Sequence, residues 1–150
     1  MSNRESEGVI DSEFVIDHIA FSVTNLAESI KFYEMNFGFT CERVVELPGQ
    51  RGKVALLSRA GFAIEMFELA GVLPLPDYRK TPETDLSTVG VKHLALKVKD
   101  IARSAALLKK RGVSFVSEPA VGVRVVSRFF IKDPDGIGIE ITESSPIRDS

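Results

Sequence analysis

The sequence predicts an α+β fold of two tandem βαβββ modules, their strands curling into a half-open curved sheet around a cavity. Three observations carry this. The stretch 90–100, GVKHLALKVKD, restates the stretch 15–25, VIDHIAFSVTN; each reads as a strand with a histidine near its start that runs straight into a helix cap. The two histidines, His18 and His93, lie 75 positions apart, and so do the glutamates Glu65 and Glu140. Each half then offers the same succession of strand, helix and three further strands. The modules are expected at 14–69 and 90–143, joined by a linker or flap at 70–89, with a flexible leader at 1–13 and a loose tail at 144–150.

In the first half, 14–23 reads as a strand in which Ile19, Phe21 and Val23 alternate with His18, Ala20 and Ser22. Asn25 stands where a helix N-cap belongs. Leu26, Ile30, Tyr33 and Phe37 follow at helical spacing, and Gly38 supplies the stop. Strands are expected at 39–47, ended by Pro48-Gly49, and at 53–58. Arg59-Ala60-Gly61 makes a tight turn into a fourth strand, 62–69, where Phe62, Ile64 and Met66 face one way and Ala63, Glu65 and Phe67 the other.

Pro74, Pro76 and Pro82 break the pattern across 70–89, where no regular element is expected. A loop of this length in a compact domain is often functional. The second half restarts at Gly90. Asp100 is its N-cap, Ile101, Ala105 and Leu108 form the helical stripe, and Gly112 ends the helix after Lys109, Lys110 and Arg111. Strands at 113–116, 123–132 and 137–142 follow, with 118–122 irregular and Asp133-Pro134-Asp135-Gly136 as the turn before the last.

Composition narrows the function classes. With 44% hydrophobic residues and ten Phe in 150, the chain can bury a sizeable core. A net charge of −2 without like-charge blocks gives no reason to expect nucleic acid or a membrane surface as partner. No apolar run approaches the length of a membrane span. Cys41 is alone, which removes a disulfide framework and a thiolate zinc site. A cytoplasmic protein is the expectation.

Side-chain parity gives the chemistry. His18 and His93 each lie opposite the apolar residues of their strands, as do Glu65 and Glu140, so helices packed on the apolar faces would leave all four on the concave faces. A lone strand histidine is more often a hydrogen-bonded wall residue than a ligand; the repetition changes that reading. Carboxylates gathered in a cavity are costly to bury, and a divalent cation resolves the cost. Two nitrogens and two oxygens without thiolate suit zinc, nickel, cobalt, manganese or ferrous iron. The repeat fits equally a site within one chain and a site shared by two.

These residues resemble the vicinal oxygen chelate superfamily, which contains glyoxalase I, methylmalonyl-CoA epimerase, extradiol dioxygenases and bleomycin-resistance proteins. The resemblance runs through DHIAFSV with Phe32-Tyr33, FAIE at 62–65, HLAL at 93–96, and FIKDPDG at 130–136 followed by Glu140. It implies paired βαβββ modules, a metal held by His18, Glu65, His93 and Glu140, and Glu140 or Glu65 as catalytic base, with Glu140 preferred. Such a site would stabilise an enediolate or enolate and move a proton at the adjacent carbon. The lead expectation is a glyoxalase I-type lyase, and a methylmalonyl-CoA epimerase-like isomerase stands second. An Fe(II) extradiol dioxygenase would use only His18, His93 and Glu140. A non-catalytic, antibiotic-sequestering protein would lack the ligands. No Arg lies between His18 and Arg43, where the glyoxalase I pattern has one for glutathione. Phe67, Lys97, Arg124, Arg128 and Phe130 are the candidate contacts to a small oxygenated substrate, and a homodimer is expected.

Overall fold

The computed structural model describes residues 15–121 and 127–143. The leader, the tail and residues 122–126, with Arg124 among them, lie outside the described residues. The first module runs β1 (His18–Ser22), α1 (Leu26–Phe37), β2 (Thr40–Glu46), β3 (Gly52–Arg59) and β4 (Phe62–Leu69). A linker carrying α2 (Pro82–Leu86) leads to the second module: β5 (His93–Val98), α3 (Ile101–Lys110), β6 (Ser114–Phe115), β7 (Ala120–Val121), β8 (Ser127–Lys132) and β9 (Gly138–Glu143).

The two sheets have matching orders, β1-β4-β3-β2 and β5-β9-β8-β6, with β7 also pairing on β8. In each, the first and last strands of the module run parallel side by side. Register therefore puts His18 opposite Ala63 and Ala20 opposite Glu65 in one sheet, and His93 opposite Gly138 and Ala95 opposite Glu140 in the other. Paired residues share a face, so each histidine lies diagonally from its glutamate.

Helix ends explain why the segments start where they do. Asn25 is extended and its side chain accepts from the Glu28 amide; Asp100 does the same for Arg103. A second acid closes each first turn: Glu68 accepts from the Leu26 amide and Glu143 from the Ile101 amide. These two acids, again 75 positions apart, satisfy donors that a helix cannot satisfy itself. Gly38 ends α1 in the left-handed conformation at φ 67°, and Gly112 turns the chain at φ 74° just after α3.

The apolar faces meet as expected. Ile64, Met66, Ile139 and Ile141 are buried, as are Tyr33 of α1 and Ala105 and Leu108 of α3, in one core that both modules share. Burying each such Leu or Ile contributes about 1.5–3 kcal/mol. The modules are also joined by polar contacts. Thr24 donates its amide and hydroxyl to Asp135, and Arg111 donates to the Met35 carbonyl.

Two expectations need correction. The linker contains regular structure, a 3₁₀ turn at Asp77–Arg79 and α2, because Pro82 occupies a first-turn position where its missing N–H costs nothing. The stretch 118–122 is not wholly irregular: Ala120 and Val121 pair with Arg128 and Ser127. No helix among the described residues is long and apolar enough to cross a membrane.

Candidate metal centre

Each module presents one imidazole and one carboxylate on the same sheet face. His18 Nε2 lies 3.7 Å from Glu65 Oε2, and His93 Nε2 lies 3.2 Å from Glu140 Oε2. A first-row ion bound at about 2.0–2.2 Å to one nitrogen and one oxygen in adjacent positions spans them by about 3 Å. The second pair meets that spacing as it stands, and the first needs a side-chain rotation. Each pair offers one nitrogen and one oxygen, a donor chemistry that suits a divalent cation.

The first pair is further prepared. His18 Nδ1 lies 2.6 Å from Asp17 Oδ2, which puts the ring proton on Nδ1 and leaves Nε2 as the lone-pair nitrogen. The hydrogen bond to Asp17 raises the His18 pKa above its ordinary value; burial opposes this, and the charges of Asp17 and Glu65 add to it. Lys92 occupies the matching place before His93, 75 positions on, and does something different. It donates to Asp85 and to backbone carbonyls, tying the linker to the second module. His93 is instead held by Phe130, edge to face with ring centroids 5.3 Å apart.

The two carboxylates differ. The Glu140 side chain is 5% exposed and held at both oxygens, by His93 and by Arg128 Nη1 at 3.2 Å. The Glu65 side chain is 33% exposed, with the His18 ring as its only ion-pair neighbour among the described residues. Arg128 in turn lies over the Phe130 ring at 5.4 Å.

Within one chain the two pairs stay apart. Among the described residues no three His, Cys, Asp or Glu side chains converge closely enough to hold an ion. His93, Arg128 and Phe130 line a cavity of about 590 Å³ that the linker closes on one side. Phe67 shares the sheet face of Glu65, in register with Ser22. Lys97 is not with the others: it lines a smaller pocket between α1 and α3, because two residues of strand beyond Ala95 carry it past the cavity.

The family model of the Glyoxalase/Bleomycin resistance protein/Dioxygenase superfamily matches residues 15–141. The chain belongs to this superfamily. Among relatives in the glyoxalase superfamily, the uncharacterised protein YaeR of Escherichia coli (strain K12) is 32% identical over 133 residues, 85% of this chain and 95% of YaeR. Lactoylglutathione lyase GLX1 of Arabidopsis thaliana is 26% identical over 136 residues, 86% of this chain and 44% of its own length. The chain thus spans less than half of that plant relative. The solved structure of the glyoxalase family protein from Enterococcus faecalis has a TM-score of 0.70 at 26% identity, covering 87% of this chain and 97% of that one.

Asp17, which orients the His18 ring, is absent from the candidate site residues; its signal in the sequence is an acid directly before a strand histidine.

Proposed function

We propose that the protein is a divalent-metal-dependent lyase of the glyoxalase I type, and that two copies of the chain build each site. His18 and Glu65 of one copy would meet His93 and Glu140 of the partner subunit. One observation carries the reading: each module turns an imidazole Nε2 and a carboxylate toward each other on one sheet face, so each pair would supply half of a ligand set.

His18, Glu65, His93 and Glu140 would hold the divalent ion, which when bound would supply positive charge to vicinal oxygens of a substrate. The chain's own groups do the rest. Glu65, the freer carboxylate, takes the proton from the carbon beside those oxygens and returns it to the neighbouring carbon. Glu140, held by Arg128, keeps its place. This reverses the preference drawn from sequence, because a carboxylate fixed at both oxygens and nearly buried is poorly placed to move. Phe67 and Phe130 supply an apolar wall that keeps water from the reacting carbon.

A second reading, an epimerase-type isomerase, gains from the absence of an Arg between His18 and Arg43. There Glu65 would take the proton from a carbon beside a carbonyl, and a proton would return to that same carbon on its opposite face and not to its neighbour. Trials with a hemithioacetal, methylmalonyl-CoA and catechol separate lyase, isomerase and dioxygenase. Ligand binding undiminished by chelator would mark a sequestering protein.

Mixed dimers test the shared site. A chain carrying His18→Ala paired with one carrying His93→Ala regains one intact site per dimer if the ligands come from two copies. Metal content and turnover should then return to about half of wild type. If mixing restores nothing, the shared site is wrong.

A further inference from the structure

We propose that the cavity beside His93 takes an organic anion with an apolar body, and that Lys132 holds its charged end. That the anion is the substrate rests on the reading of His93 and Glu140 given above. Lys132 lies on the same sheet face as His93, in one row: His93 pairs with Gly138, and Gly138 pairs with Lys132. Two strand spacings separate the outer backbones by about 10 Å. Gly138 keeps the space between them clear. A Cβ there would come within 3.2 Å of the Lys92 carbonyl and 3.4 Å of His93 Cβ, and any larger side chain would fill the gap.

Charge accounting singles out Lys132 among the cations lining this cavity. Arg79 and Lys92 both reach Asp85, Lys80 reaches Asp77, and Arg128 reaches Glu140. Lys132 Nζ donates to the Lys80 carbonyl at 2.7 Å and has no carboxylate within ion-pair distance among the described residues. The remaining acid on the cavity wall, Asp135, gives both oxygens to Thr24. An ammonium has three donors, so two stay available. The surroundings are otherwise largely apolar, with Leu73, Leu75, Leu86 and Val116 from the linker and the far wall. A half-buried cation with no counter-charge among the described residues, in a cavity of ligand size, asks for an anion. A carboxylate or phosphate on Lys132 would leave the ligand's apolar body along Leu75 and Phe130 and its far end at His93.

Calorimetric titration of the full chain with octanoate, octyl phosphate and 1-octanol tests this. The anions should bind about tenfold or more tightly than the alcohol, the range of a charge-assisted hydrogen bond. Lys132→Met should erase the difference while leaving octanol binding and metal content unchanged; Lys132→Arg should keep it. The tighter of the two anions identifies the headgroup as carboxylate or phosphate. Equal binding of octanol and the anions by wild type, unchanged octanoate binding by Lys132→Met, or failure of Lys132→Arg to retain it would each overturn the proposal. Repeating the titrations after chelation separates the two readings. Discrimination that persists while His93→Ala retains full metal content removes the metal reading alone. Normal metal loading without discrimination removes this inference alone.

Discussion

Tyr33 Oη donates to Asp133 Oδ2 at 3.3 Å, joining residues 100 positions apart and stitching α1 of the first module to the β8–β9 turn of the second. Both groups are buried. Burial pushes Asp133 up to about 6; amide donation from Ile137 and Asp135 and the Tyr33 hydroxyl pull the other way, and the charge of Asp135 adds to the rise. Burial also raises Tyr33 well above its ordinary range, so it remains a donor. A carboxyl whose folded pKa exceeds its unfolded value binds more protons when folded, so it lowers stability as pH climbs from about 4 to 6. Asp133→Asn removes that dependence. Its stability relative to wild type should rise by about 2–3 kcal/mol between pH 4 and 6.5, read from urea unfolding at each pH. A constant offset across the window would show that Asp133 titrates normally.

The unequal carboxylates predict unequal variants. Glu65→Gln should keep most of its thermal stability and lose exchange of the substrate proton with solvent deuterium. Glu140→Gln should lose metal first, since its anion is what His93 and Arg128 gather around. NMR exchange and metal analysis on both proteins check this. Proton exchange that survives in Glu65→Gln and vanishes in Glu140→Gln, with metal retained, would reassign the base to Glu140.

Arg128→Met leaves the nearly buried Glu140 carboxylate with the His93 imidazole as its remaining partner among the described residues. Arg128 is itself about a third exposed, so the cost should be about 1–3 kcal/mol, short of that for a fully buried pair. Added divalent cation should recover much of the loss by taking over the charge. Thermal melts with and without metal read both effects, and a melt identical to wild type in chelator would show the ion pair is idle.

Asp85 anchors the linker by receiving Arg79 and Lys92. Burial pushes its pKa up, but the hydrogen bonds from those two cations prevail and hold it below the ordinary carboxylate value. The stabilisation is therefore present above about pH 4 and lost as pH falls through the lowered folded value. Asp85→Asn should cost about 1–2 kcal/mol, discounted because Arg79 is partly solvated. Limited proteolysis at neutral pH should cut the variant within 70–89 faster than wild type. Equal cutting rates would mean that other contacts hold the linker.

Much of this was legible because the chain states it twice. Asn25 and Asp100, Gly38 and Gly112, and the alternation around His18 and His93 are local signals that tertiary structure did not overrule. Parity alone put Glu65 and Glu140 on the faces of the histidines. The linker departs from expectation because a proline breaks a helix only in its interior, whereas Pro82 starts one. Lys97 departs from expectation because parity gives a face and not a distance along the strand. Lys132 stands out only in three dimensions, where the positions of Asp77, Asp85, Asp135 and Glu140 leave it without a carboxylate partner among the described residues.

The acids Glu68 and Glu143 reach from the last strand of each module to the first helical amide of the same module. Each half thus carries its own clasp, closing beginning on end without help from the other. Held in one chain, the two self-clasped halves meet at a raised effective concentration, with no new contact required.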